Sequence, residues 1–190
     1  MNVEQTPLPG LLVLAPRVFA DGRGAFCETW NRETLAACGI EMDFVQDNQS
    51  LSRLPGTVRG LHYQTPPRAQ DKLVRVVAGA ILDVAVDIRA GSPTYGRWHG
   101  VEISAEDGRQ VLVPKGFLHG FVTRAPDTVV LYKTTDTYAP DCDRAVHFAD
   151  PGLGIHWGLA ADQAILSEKD AAAPSFAGFE TPFGADGGPR

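Results

Sequence analysis

The feature that most constrains this chain is a series of short β-type runs separated by residues that favour turns. The separating segments are rich in Ala, Gly, Ser, Pro and Asp, as at residues 78–79, 90–93 and 125–127. Many short runs at such spacing predict a sandwich or barrel. The clearest runs are residues 72–77, 80–88, 110–113 and 128–134. The sequence therefore predicts an all-β domain.

The run over residues 80–88 has a two-sided pattern. Every second position from Leu82 to Ile88 is apolar, and Asp83 and Asp87 lie between these positions. Successive side chains of a strand point to opposite faces of the sheet. We therefore expect one face of this strand to lie in a core, and the other to lie in a polar cavity or in solvent.

Helical signals are few. Asn31 can cap a helix over residues 31–38, and Gly39 can end it. A second short helix is compatible with the sequence around residues 159–165. Helices are thus expected only as short additions to the strands.

The chain of 190 residues is long enough for one complete domain and short for two. No internal repeat or low-complexity linker divides it. Ala, Pro and Gly dominate from Ala171 onward. We expect a single domain over residues 1–170 and a loosely packed tail over residues 171–190.

Composition excludes some classes of function. The net charge of −6 argues against a nucleic-acid binder, although a few cations in a pocket can still hold a nucleotide diphosphate. Neither a signal peptide nor a membrane span is recognisable. Cys27, Cys38 and Cys142 form no CxxC pair, which is typical of reduced thiols. We expect a cytoplasmic protein.

The densest group of candidate functional residues surrounds His62. Arg59 and His62 would point to opposite faces of a regular strand, but Gly60 permits a bulge that turns both inward. A lone strand histidine is usually a packed or surface residue. Two observations favour a functional role for His62. Gln64, two positions later, lies on the same face of the strand, and the cations Arg59 and Lys72 are nearby in the sequence.

A second polar pattern lies upstream of His62. Gln46, Asn48 and Ser50 alternate, so they share one face of a predicted strand. This face is either a solvent-facing edge or the hydrogen-bonding wall of a pocket. The pattern alone does not decide between these two interpretations.

Two charged segments are also open to two interpretations. Arg23, Phe26 and Glu28 follow a tight turn, as in a surface hairpin or in a strand edge that reaches over a pocket. In the second case Phe26 could stack on a flat base. Lys169 and Asp170 lie near the C-terminal tail, where charged pairs are usually solvated.

A second histidine ends the stretch Pro-x-Gly-x-x-His119, which has the form of the second cupin motif. The first cupin motif ordinarily supplies His-x-His and a Glu, which bind a divalent metal together with the second motif. Here His62 is followed by Gln64, and no acidic residue occurs before Asp71. Two histidines do not fill a usual metal site. We therefore expect a cupin fold that uses no metal and no other cofactor.

Taken in order over residues 12–170, these segments resemble the dTDP-4-dehydrorhamnose 3,5-epimerase family. The resemblance implies a cupin-type jelly-roll barrel with short flanking helices, usually a metal-free homodimer. The implied reaction is epimerisation at C3 and C5 of dTDP-4-keto-6-deoxy-D-glucose to dTDP-4-keto-L-rhamnose. The matching stretches are Asp21-x-Arg23-Gly-x-Phe26-x-Glu28, Val45-Gln-Asp-Asn48-x-Ser50, Arg59-Gly-Leu-His-Tyr-Gln64, Gln70-x-Lys72-Leu-Val-Arg75, Asp83-Val-Ala-Val-Asp-x-Arg89-x-x-Ser-Pro93, Pro114-x-Gly-Phe-x-His-Gly120 and Tyr132-Lys133.

The resemblance implies four catalytic roles, and each suits the residue type. His62 would be the base that removes the proton beside the C4 ketone, with Asp170 holding its tautomer. Lys72 would stabilise the enolate oxygen. Inversion needs a proton from the opposite face of the ring, and Tyr132 would return it.

The resemblance also implies substrate-binding residues. Arginine suits the diphosphate because its fork makes two charge-assisted bonds. At residues 143 and 144 the family often has Glu-Gly, and this chain has Asp143-Arg144. Asp is one methylene shorter than Glu, so any contact made by residue 143 is shortened by that amount. The implied residues are Arg23, Phe26, Glu28, Gln46, Asn48, Arg59, His119, Asp143 and Lys169.

Other functions remain open at this point. Within the fold, the alternatives are a C5-only or C3-only epimerase and a 3,4-ketoisomerase. The presence of both His62 and Tyr132 favours double epimerisation. A metal-dependent cupin oxygenase is disfavoured by the missing ligands. A non-catalytic sugar-binding module is disfavoured by the full set of candidate catalytic residues.

Overall fold

The computed structural model describes residues 1–190, and thirteen short strands make up most of its regular structure. The helices are α1 (Arg32–Ala36) and α2 (Glu168–Ala171). The strands are β1 (Asn2–Gln5), β2 (Leu12–Ala15), β3 (Val18–Asp21), β4 (Gly24–Cys27), β5 (Gln46–Ser52), β6 (Val58–Gln64), β7 (Lys72–Ala78), β8 (Ala80–Asp87), β9 (Trp98–Ser104), β10 (Gln110–Val113), β11 (Phe117–Thr123), β12 (Thr128–Thr134) and β13 (Asp143–Ala145).

The strands form two main sheets and one separate hairpin. The first sheet has the order β1-β2-β10-β7-β12-β5, and the second has the order β13-β6-β11-β8-β9. Every strand pairing is antiparallel. Many paired strands are distant in sequence; for example, β10 pairs with β2 and with β7. Apolar side chains of both sheets, such as Val74 and Val111 from the first and Ala85 and Phe121 from the second, form one interior cluster. The predicted all-β jelly-roll barrel is confirmed.

Both faces of β8 are buried, because the C-terminal part of the chain covers the outside of the second sheet. Leu82, Val84 and Val86 pack outward in a cluster that includes Phe148 and Phe183. The opposite face points into the barrel, and Asp83 and Asp87 on this face are 1 % and 0 % exposed. The two-sided pattern of β8 therefore reflects an outer apolar layer and an inward face that carries two buried carboxylates, and the solvent-facing alternative does not apply.

Helix α1 agrees with its predicted cap. The side-chain oxygen of Asn31 accepts hydrogen bonds from the backbone N–H groups of Glu33 and Thr34, at 2.9 and 3.2 Å. The region around residues 159–165 contains only a 3₁₀ turn, Ala161–Gln163, instead of a second α-helix. Neither helix has the length or the apolar character needed to cross a bilayer.

The segment after Ala171 is partly packed. Phe183 is 1 % exposed and belongs to the outer apolar cluster, and its carbonyl accepts the N–H of Ala90 at 3.0 Å. These contacts anchor at least this part of the segment. The division into a domain of residues 1–170 and a loosely packed tail stays a prediction.

Candidate active site

A cavity of about 380 Å³ lies between the two sheets, and α2 and the turn before it also line it. It collects seven of the thirteen site residues that the sequence predicts: Arg59, His62, Lys72, His119, Tyr132, Lys169 and Asp170. Residues from four strands and one helix therefore meet at a single place.

His62 and Asp170 form the closest functional pair in this cavity. His62 Nε2 lies 2.6 Å from Asp170 Oδ1, and the Asp170 side chain is only 5 % exposed. Burial raises the pKa of Asp170, but hydrogen bonds from His62, from the Gly60 N–H and with Ser167 outweigh burial and leave this pKa below its usual value. An ionised Asp170 holds the ring proton on Nε2. His62 then keeps Nδ1 free to accept a proton.

A bulge in β6 directs both Arg59 and His62 into the cavity. His119 of β11 is opposite His62, but Phe121 is opposite Arg59, so two residues of β6 face one residue of β11. Gly60 has φ +127°, and a Cβ there would lie 2.6 Å from the Cα of Gly120. Only glycine suits this close approach. The predicted bulge is confirmed.

Arg59 reaches from the second sheet to the edge strand of the first. Its Nε donates to the Ser52 hydroxyl and its Nη2 to the Leu51 carbonyl, both at 3.2 Å. A guanidinium has five N–H donors, so several remain for an anion in the cavity. The two protein contacts fix the direction of the guanidinium.

Lys72 and Tyr132 enter the cavity from the first sheet, on the opposite wall from His62. Burial lowers the pKa of Lys72 to about 8. The nearby carboxylates of Asp143 and Asp83 oppose this decrease, and the cationic Lys169 adds to it. Burial raises the pKa of Tyr132, so its phenol keeps its proton at neutral pH. The cavity thus holds an imidazole on one wall, and an amine and a protonated phenol on the other.

His119 has its own carboxylate partner. Its Nε2 lies 2.8 Å from Asp83 Oδ2, and both side chains are buried. Because His119 is paired with His62 across adjacent strands, two His–Asp pairs lie side by side. No group of three or more His, Cys, Asp or Glu side chains is placed to hold a metal ion.

Asp143 lies in a polar cluster beside the cavity. It forms an ion pair with Lys169, and the Tyr138 hydroxyl donates to it at 3.1 Å. The Tyr138 backbone N–H donates to the Gln46 side-chain oxygen at 3.0 Å. This cluster brings two more predicted residues, Gln46 and Asp143, close to the seven that line the cavity.

Tyr138 is not among the residues that the sequence predicts for the site, because no local pattern distinguishes it. The hydrogen bond to Asp143 raises its pKa. Asp83 is not among the predicted site residues either, although it is a polar position on a strand and begins a stretch that matches the epimerase family. Its partner His119 is 36 residues away, so local spacing does not reveal the pair.

The polar face of β5 belongs to the wall of a pocket. Ser50 lines the cavity, and Asn48 accepts a hydrogen bond from Gln46 at 2.9 Å. The Ser50 hydroxyl and the Asn48 amide nitrogen are buried without hydrogen-bond partners. Unpaired donors on a buried wall are suited to a ligand. The pocket-wall interpretation is therefore favoured over the solvent-facing edge.

Three predicted residues lie away from the cavity of their own chain. Arg23 forms an exposed ion pair with Asp21, and Glu28 accepts hydrogen bonds from Asn31 and Thr34. Phe26 is 70 % exposed. All three belong to the hairpin of β3 and β4 or follow it directly. Within one chain the structure does not bring them to the site.

Groups that accept and donate protons therefore face each other across one cavity, an arrangement typical of isomerases of the epimerase type. The family model described as dTDP-4-dehydrorhamnose 3,5-epimerase matches residues 5–178, and the chain belongs to this family. It is 48 % identical to the dTDP-4-dehydrorhamnose 3,5-epimerase of Sinorhizobium fredii over 92 % of this chain and 89 % of that protein.

Solved structures agree with this assignment. The epimerase of Bacillus anthracis, with TDP and PPi bound, is 46 % identical, with a TM-score of 0.89 over 92 % of this chain and 98 % of that chain. The Legionella pneumophila enzyme in complex with dTDP-4-keto-L-rhamnose is 43 % identical, with a TM-score of 0.90 over 100 % of this chain and 97 % of that chain.

Proposed function

We propose that this enzyme epimerises C3 and C5 of dTDP-4-keto-6-deoxy-D-glucose to give dTDP-4-keto-L-rhamnose. The observation that carries the proposal is the position of the His62–Asp170 pair and Tyr132 on opposite walls of one cavity. The names of the relatives and the nucleotide and sugar ligands of the solved structures support this substrate.

His62 is the general base in this proposal. A carbon acid beside a ketone is weak, and an imidazole is a suitable base near neutral pH. Asp170 holds the proton on Nε2 and stabilises the imidazolium that forms when Nδ1 takes the proton from carbon. Asp170 is in turn held by α2, where the Ser167 hydroxyl accepts the Asp170 N–H at 3.1 Å.

Lys72 stabilises the enolate that forms at the C4 oxygen. A buried ammonium is effective here, because the low dielectric strengthens its interaction with the developing oxyanion. With a pKa of about 8, Lys72 is mostly cationic at neutral pH.

Tyr132 returns the proton to the opposite face of the ring. One residue cannot easily remove and return a proton with inversion, so an acid on the wall opposite His62 is needed. The raised pKa of Tyr132 keeps its proton available for donation. The ring presents C3 and C5 in turn to the same base.

The dTDP portion is bound beside the reacting sugar. Arg59 binds the diphosphate by donating hydrogen bonds from its free N–H groups. The Asp143–Lys169 pair offers both an acceptor and a cation, and the unpaired Asn48 amide is a further donor. Gln46 and His119 complete this set. Such a substrate fits the cytoplasmic location that the sequence predicts.

A homodimer supplies the remaining contacts in this proposal. The hairpin exposes Val18, Phe19 and Phe26 by 52 %, 51 % and 70 %, which is unusual for large apolar side chains on one small element. A second copy of the chain would cover them. Arg23, Phe26 and Glu28 would then contact the nucleotide in the partner's cavity.

The test is direct turnover of dTDP-4-keto-6-deoxy-D-glucose, coupled to a rhamnose-forming reductase and repeated in D₂O. We expect formation of the L-rhamnose nucleotide, with deuterium at both C3 and C5. Deuterium at a single carbon would instead support the C3-only or C5-only epimerase. Absence of any exchange or product would contradict the proposal.

A further inference from the structure

One buried carboxylate in the barrel has a hydrogen-bond partner for only one of its two oxygens. Asp83 is 1 % exposed, and its Oδ2 is bound by His119 at 2.8 Å. Its second oxygen, Oδ1, is shielded from solvent and has no hydrogen-bond partner. Burying an unpartnered carboxylate oxygen is costly unless a nearby charge compensates for it. A nearby positive charge would therefore compensate for the burial of this carboxylate.

One charge that interacts with Asp83 is Lys72, which lines the cavity from the opposite sheet. Lys72 forms no hydrogen bond or ion pair within the chain, and the charge of Asp83 opposes the loss of its proton. The charge of Asp143 raises the pKa of Lys72 more than that of Asp83 does, but Asp143 is already engaged by Lys169 and Tyr138. Asp83 Oδ1, in contrast, is a buried carboxylate oxygen that no donor of the chain engages.

The other titratable and charged groups around the cavity do not replace Asp83. Asp170 is bonded to His62, and no other acidic side chain lines the cavity. These other groups are Arg59 and His62 on β6, His119 on β11, Tyr132 on β12, and Lys169 and Asp170 on α2.

We propose that Asp83 is a positioning residue of the epimerase site: Oδ2 orients His119, and Oδ1 is a counter-charge that helps to keep Lys72 cationic. The inference rests on the proposed function, since it assigns Lys72 to the enolate oxygen. Asp83 does not touch the substrate. Its effect increases when a substrate fills the cavity, because the expelled water no longer solvates the ammonium.

The variant that tests the proposal is Asp83→Asn. Asn has the shape of Asp and can still hydrogen-bond His119, so the change removes the charge and keeps the contact. Loss of a nearby anion disfavours the protonated amine, so the pKa of Lys72 is expected to fall by about one unit. The alkaline limb of kcat should move to lower pH by the same amount, with little change well below the pKa of Lys72.

The Lys72 pKa can be measured without substrate, by NMR of protein carrying ¹³C-labelled lysine. The chain has four lysines, and the Lys72 signal is assigned by its absence in Lys72→Arg. The matched control is Asp87→Asn on the same inward face of β8, whose carboxylate binds Arg89, Ser92 and Thr94 instead. This control should leave the Lys72 titration unchanged.

An unchanged Lys72 titration in Asp83→Asn would overturn the proposal, as would an equal shift in Asp87→Asn. If Asp83→Asn does not fold, Asp83→Ser removes the same charge and leaves room for water beside His119, and the same shift is expected. If Lys72 shifts but the wild-type enzyme does not turn over the 4-keto sugar, the counter-charge is upheld and the proposed function fails instead.

Discussion

Among single residues, His62 is the one on which turnover depends most in the proposed mechanism. We expect His62→Ala to lower kcat by at least about a hundredfold, because the general base is lost, and to leave dTDP binding nearly intact. The coupled assay measures the first effect, and calorimetric titration with dTDP measures the second. His156→Ala is a suitable control, since His156 is exposed and lies outside the cavity. Near-wild-type turnover of His62→Ala would remove this residue from the mechanism.

Tyr132→Phe separates proton removal from proton return. His62 should still remove protons and let them exchange with D₂O, but delivery to the opposite face should fail at C5. We therefore expect NMR of the recovered sugar to show some deuterium and no net inversion at that carbon. Unimpaired C5 inversion would assign the acid to another group.

The depressed pKa of Lys72 predicts an alkaline limit to activity. In the proposed mechanism Lys72 acts as a cation, so kcat should fall as the pH rises through about 8. In Lys72→Arg the guanidinium stays charged, and the alkaline limb should move to higher pH even if the maximal rate is lower. A pH–rate profile of both proteins checks this. The same alkaline limb in both would assign it to a different group.

At the scale of elements, the β6 bulge is the feature on which the site depends. In Gly60→Ala the new Cβ would lie 2.6 Å from Gly120 Cα, and the backbone has φ +127°. We expect a loss of stability of about 2 kcal/mol or more, together with loss of turnover. Gly24→Ala is matched to it, since Gly24 has φ +136° but no atom within 4 Å. Equal losses of stability, measured by thermal unfolding, would show that the close approach to β11 is unimportant.

The elements differ in how far the sequence could predict them. The bulge was predictable, because a glycine separates two residues that both need to face inward. The burial of both faces of β8 was not, because the pattern on a strand does not say what covers its outer face. The His62–Asp170 pair joins residues 108 positions apart, so only the resemblance to the epimerase family suggested it. Local spacing carries no information on contacts that depend on the packing of α2.

For the whole molecule, we expect a homodimer in which each hairpin serves the partner's cavity. Light scattering at micromolar concentration should give twice the mass of one chain. Mixing His62→Ala with Phe26→Ala subunits should restore activity, because a mixed dimer has one cavity with both an intact base and an intact hairpin. About a quarter of all sites are intact after random exchange in an equal mixture. A monomer mass, or no restored activity, would contradict the crossed arrangement.

We also expect activity to survive exhaustive chelation. Each cavity histidine already has a carboxylate partner, and no third ligand joins them. The measurement is turnover after dialysis against a strong chelator, compared with a sample to which divalent metal is returned. Loss of activity that a metal reverses would show that the metal-free interpretation is wrong.

The position of Asp170 has a consequence for biosynthesis. The last barrel strand ends at Ala145, and Asp170 lies in the outer segment that follows it. All thirteen strands therefore leave the ribosome before the carboxylate that orients His62. A nascent chain released before this point would contain every strand and His62, but not the carboxylate that prepares His62 for proton transfer in the proposed mechanism. In the proposed mechanism, the site is therefore completed only after the strands that form the pocket have been made.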